Sequence, residues 1–116
     1  MTGVQTCALP IYIDDVARAN VLALQSETVD DDVFNVASGT ETSLRELAEV
    51  LLTVMGAPRM RPEHGPERSV NSVPRRLACT EKSERLLGFK AEVDLQRGLR
   101  QLVDWWRDQR AVAACA

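Results

Sequence analysis

Only one clear stretch of this chain reads as a short strand. Val33-Phe34-Asn35-Val36-Ala37 is dense in β-branched and aromatic residues, and Ser38-Gly39 stops it. A second short strand fits around 73–78, and the other ordered segments have helical periodicity. Each strand has two edges of N–H and C=O groups that need partners, so one or two strands cannot form a self-sufficient sheet. The chain therefore reads as a piece of an α/β protein whose main sheet lies elsewhere.

The helical segments carry their own start and stop signals. Tyr12 runs into a helix that Asp14 or Asp15 can cap, with Ala17, Val21 and Leu24 on one face. Residues 27–32 form an acidic, solvated loop. Ser43 and Glu46 have capping-box spacing, and Leu44, Leu47, Ala48, Leu51, Leu52 and Met55 trace an apolar stripe that Gly56 ends. Residues 57–78 hold four prolines and five arginines and read as an extended surface segment. Thr80 can cap a short helix over 81–87, stopped by Gly88. Asp94 can cap a last helix with Leu95, Leu99, Leu102, Val103 and Trp106 on one side. Of Trp105 and Trp106, one is expected to be packed and one half-exposed.

Composition excludes several functions. The 116 residues are 45% hydrophobic and 27% charged, ordinary globular proportions that argue against a disordered or fibrous chain. A net charge of -3 gives no uniformly basic surface for nucleic acid or anionic membrane. No apolar run approaches the ~20 residues of a membrane span. Cys7, Cys79 and Cys115 are too scattered for a zinc site or a disulfide framework, and the thiols of Cys79 and Cys115 are expected to be free. The single histidine, His64, lies in a Pro-Glu-His-Gly-Pro turn without an acid–base partner nearby in sequence.

Residues 1–11 stand apart. They carry no charged side chain and lack the pattern of a signal peptide. The string resembles the conceptual translation of a short-read sequencing adapter, so the genuine chain is expected to enter near Tyr12. The organisation is then an adapter-like segment over 1–11, a truncated substrate-binding domain over 12–110 and a frayed tail over 111–116.

Five motifs in order carry a family resemblance. They are Y-I-D-D-V-A-x-A from Tyr12, V-F-N-V-A-S-G from Val33, T-S-L-x-E-L-A from Thr42, L-L-G-F from Leu86 and L-x-x-G-L-x-x-L-V-x-W-W from Leu95. Together they resemble the carboxy-terminal part of the NAD-dependent epimerase/dehydratase family, the extended short-chain dehydrogenase/reductases. The resemblance implies an α/β fold of which this chain is the substrate-binding part of an extended Rossmann-type enzyme. That part is expected to be mostly helical, with one to three short strands and without the main parallel sheet.

The resemblance also implies a nucleotide-sugar substrate, NAD bound by an amino-terminal domain, and a cytoplasmic, homodimeric parent. The expected chemistry is transient hydride transfer at a sugar carbon. The chain has neither a glycine-rich dinucleotide loop nor the Y-x-x-x-K pair, since Val16 stands four residues after its single tyrosine, Tyr12. No catalytic residue is therefore expected here. Arg68 aligns to within one position with the family's phosphate-binding arginine; Arg75 and Arg76 are further candidates. A guanidinium can donate two parallel hydrogen bonds to phosphate oxygens. Asn71 or Ser72 stands where the family has a nucleoside-contacting Asp. An epimerase is the leading reading. A dehydratase or reductase of the same family is an alternative, and a non-catalytic binding or sensing domain on this scaffold is another.

Overall fold

The structure is a computed structural model, and it describes residues 7–8, 10–63, 65 and 77–114. The elements in order are β1 (Cys7–Ala8), α1 (Ile13–Gln25), β2 (Thr42–Ser43), α2 (Leu44–Val54), α3 (Glu81–Leu87) and α4 (Leu95–Ala114). β1 and β2 pair antiparallel, Cys7 opposite Ser43 and Ala8 opposite Thr42. The architecture is mostly helical, and the described residues contain no parallel sheet. β1 lies inside the segment read as adapter-like.

Val33–Ala37 is not a strand: 33–36 belong to no regular element and Ala37 lies at a bend. Phe34 and Val36 turn inward while Val33 and Asn35 face out, the alternation of a half-buried strand. No neighbouring strand meets it among the described residues, so no ladder forms. Of the second expected strand, Leu77 and Ala78 belong to no strand, and 73–76 lie outside the described residues.

The core is small. Ala19, Leu87 and Phe89 are buried together, and Leu22, Phe34, Val36 and Ala91 are among the side chains packed around them. Full burial of Phe89 contributes about 1.5–3 kcal/mol. α1 packs on α3, and α2 packs on α4.

α1 differs from its sequence reading in both cap and face. Tyr12 occupies the N-cap position without a side-chain bond, and Asp14 and Asp15 lie in the first turn. The buried line is Asp15 and Ala19, flanked by Leu22; Ala17, Val21 and Leu24 point outward. Apolar residues on both sides of the helix made the spacing ambiguous.

α2 follows its signals closely. The Ser43 hydroxyl accepts from the Glu46 N–H at 3.1 Å. Beyond the last turn, Ala57 N–H returns to Leu52 O and Gly56 N–H to Thr53 O, closing a Schellman motif. α3 has the expected bounds, but Thr80 offers no side-chain cap; the Ser83 hydroxyl instead donates to Thr80 O at 2.8 Å. Gly88 ends α3 at φ +66°, where a side chain would be strained. In α4, Asp94 caps the Arg97 N–H at 2.7 Å. Leu95, Leu99 and buried Val103 form the packed line. Leu102 and both tryptophans lie outside it and are exposed, which corrects the expected packing of Leu102, Trp106 and one of the two tryptophans. The Arg110 guanidinium sits 4.9 Å from the Trp106 ring centroid. The helix continues through Ala114, into the segment read as a frayed tail.

Candidate functional site: a cavity at the end of the extended run

A cavity of about 490 Å³ opens where Val33–Ala37 ends and α4 begins. One wall is Pro10–Ile13, and a second is Ser38, Thr40 and Thr42 with Leu47 of α2. Ala91–Asp94 and Leu95, Gly98, Leu99 and Leu102 of α4 complete it. The volume falls within the roughly 300–1,000 Å³ of small-molecule sites.

The lining chemistry is specific. Apolar side chains dominate, and the Ser38, Thr40 and Thr42 hydroxyls and the Glu92 and Asp94 carboxyls supply polar groups. The Ser38 and Thr40 hydroxyls lie 3.2 Å apart and share one hydrogen bond. The described lining contains no lysine or arginine. Such walls accept a hydroxyl-bearing or apolar group; a diphosphate needs cations from elsewhere. Gly98 lets α4 approach Tyr12 closely, since a Cβ there would stand 3.1 Å from Tyr12 Cδ2.

One wall is held by Asp15, which is 2% exposed. Its carboxylate accepts the Glu92 N–H at 3.1 Å to each oxygen and the Val93 N–H at 3.0 Å. The Arg18 guanidinium donates to Asp15 at 2.9 Å, pairs with Glu92 at 3.2 Å and also donates to Lys90 O. It lies 5.3 Å from the Phe89 ring centroid. Burial pushes the Asp15 carboxyl up, but the hydrogen bonds from Arg18, Val93 and Glu92 outweigh it and hold the group below its ordinary value. Asp15 is thus neither the helix cap suggested by its position nor a free acid. It joins α1 to the segment that forms the cavity wall.

The four residues read from sequence as substrate contacts, Arg68, Asn71, Arg75 and Arg76, lie outside the described residues, as does His64. Cys79 is free and exposed. No group of histidine, cysteine and carboxylate side chains suited to a metal occurs among the described residues. No described helix is long and apolar enough to cross a membrane.

The described glycines do not fit a dinucleotide. Gly56 and Gly88 follow helix ends, Gly98 lies inside α4 and Gly39 turns the chain before β2. None opens a helix with free N-terminal amides facing a pyrophosphate. Ser43 already caps the start of α2.

No family model matches the chain. It is 34% identical over 101 residues to dTDP-glucose 4,6-dehydratase of Streptomyces niveus, covering 87% of this chain and 30% of that protein. Among solved structures, UDP-glucose 4-epimerase of Thermotoga maritima, determined with UDP-glucose, matches with a TM-score of 0.83 at 28% identity. That match covers 94% of this chain and 34% of the other. The Bordetella bronchiseptica enzyme WbmF, in complex with NAD+ and UDP, matches with a TM-score of 0.76 at 31% identity, covering 95% and 32%. These likenesses define the chain as a part of an extended short-chain dehydrogenase/reductase fold. The relatives and structural neighbours it matches are of the NAD-dependent epimerase/dehydratase type, and it spans about a third of their length.

Proposed function

We propose that this chain is the sugar-nucleotide-binding part of an NAD-dependent epimerase and contributes no catalytic residue. The carrying observation is the ordered likeness to an epimerase determined with UDP-glucose, joined to a cavity at the end of the extended run. The cavity's hydroxyls and carboxyls suit a sugar, and its lack of cations leaves the diphosphate to Arg68, Arg75 and Arg76. By the family resemblance, Asn71 or Ser72 takes the contact to the nucleoside. NAD belongs to a separate amino-terminal domain. The complete enzyme is a cytoplasmic homodimer.

The test is a chimera in which residues 12–110 replace the matching stretch of the Thermotoga maritima epimerase. It is expected to interconvert UDP-glucose and UDP-galactose, and Arg68→Ala should raise KM more than it lowers kcat. Unchanged KM in Arg68→Ala, Arg75→Ala and Arg76→Ala alike would remove the proposed clamp. A dehydratase is the second reading, favoured by the 34% identity to the Streptomyces niveus enzyme. A 4-keto-6-deoxy sugar among the products of the intact parent enzyme, rather than of the chimera, would select it.

A further inference from the structure

Two of the cavity walls, residues 10–13 and 91–102, lie far apart in sequence, and one buried side chain joins them. Residues 10–13 run directly into α1, where Asp15 follows Ile13 by two positions on the buried side. Its carboxylate accepts from the main-chain N–H groups of Glu92 and Val93, both of which line the cavity. Among the described residues, the hydrogen bonds between α1 and 88–98 all involve Asp15 or its partner Arg18.

The grip is on main chain, so it places a segment rather than a single side chain. Glu92 and Val93 precede Asp94, which caps α4, and Leu95, Gly98, Leu99 and Leu102 of that helix form the wall beyond. Holding two successive amides therefore sets both the path of 91–94 and the start of α4. A second feature acts on the same walls by sterics. A Cβ on Gly98 would stand 3.1 Å from Tyr12 Cδ2 and 3.5 Å from Val93 Cγ1. The first distance is shorter than a close-packed interior accepts without a shift. Asp15 draws the walls together, and the missing side chain at Gly98 allows the separation they reach.

We propose that Asp15 is a positioning residue for the ligand: by fixing the distance between 10–13 and 91–102, it sets how tightly the cavity holds the sugar of a nucleotide sugar. The inference rests on the proposed use of the cavity and holds for an epimerase and a dehydratase alike. Asp15 is 2% exposed and its carboxylate is occupied by protein donors, so it acts through the wall and not by touching the ligand. With no catalytic residue assigned to this chain, a displaced wall weakens binding more than turnover.

Steady-state kinetics of the intact enzyme that carries this chain, with UDP-glucose and dTDP-glucose as probes, test it. Asp15→Asn is expected to raise KM about tenfold and to change kcat by less than about twofold. Gly98→Ala forces Tyr12 and α4 apart with Asp15 intact; it should also raise KM, and it decides the matter if Asp15→Asn does not fold. Gly88→Ala is the control, because it strains the end of α3 at φ +66° and lies outside the lining. Its KM should stay at the parental value. An unmoved KM in Asp15→Asn, or in Gly98→Ala where the first variant does not fold, would overturn the inference. A loss confined to kcat would overturn it too. So would an equal rise of KM in Gly88→Ala, since the effect would then be one of general stability. A parent that turns over neither probe would remove the proposed function and this inference with it, whereas a working parent whose variants keep its KM removes this inference alone.

Discussion

Replacing Asp15 by Asn tests the anchor of the cavity wall. The amide keeps the size of the side chain but leaves one oxygen to serve two main-chain donors and turns an NH2 group toward them. Hydrogen bonds to a charged acceptor contribute about 1.5–3 kcal/mol each. Arg18 is partly exposed, so the ion pair adds less than a fully buried one would. A net loss of about 2–3 kcal/mol is expected, which accelerates exchange of the Glu92 and Val93 amides roughly 30- to 160-fold. The pH dependence has a defined sign. The folded carboxyl is held below its ordinary value, so its contribution is complete above the usual carboxylate range and is lost as pH falls through the folded value. The difference between Asp15→Asn and the parent should therefore persist from pH 7 to about 5 and shrink below about 4. Equal exchange at pH 7, or a difference that does not shrink in acid, would refute the reasoning.

Three further outcomes follow from particular contacts. Lys82 donates to Asp32, and that bond, with the Val33 N–H, holds the Asp32 carboxyl below its ordinary value. Lys82→Met should return its NMR titration toward the usual range, and an unmoved titration would exclude the contact. Gly88→Ala places a side chain at φ +66° and should destabilise the end of α3 by about 1–2 kcal/mol, read as faster exchange at Phe89 N–H. Trp105 and Trp106 are 59% and 43% exposed, so fluorescence should be red-shifted and quenched by acrylamide. Blue emission resistant to quenching would contradict the exposed face of α4.

Local signals in the sequence translated well into local structure. Ser43 with Glu46, Gly56, Gly88 and Asp94 act within a few residues, and each marks an element boundary where expected. Long-range choices were not legible. The donors that Asp15 satisfies lie 77 and 78 residues further along the chain, so nothing in its neighbourhood distinguishes an anchor from a cap. α1 carries apolar residues on two sides, and only the position of Phe89 and Leu87 decides which side is buried. Val33–Ala37 was recognisable as strand material, yet a strand is a relation between two segments. The cavity likewise draws its walls from three stretches far apart in sequence, 10–13, 38–47 and 91–102, and only the fold brings them together.

The pairing of helices has a consequence for how the chain could be divided. α1 and α2 precede the segment around Met60–Glu63, α3 and α4 follow it, and α1 packs on α3 while α2 packs on α4. Each half thus lends one helix to each pair, and Asp15 ties the first half to the second. A single proteolytic nick at the exposed Met60–Glu63 stretch would leave two interleaved pieces held by both pairs, so cleavage there need not separate them.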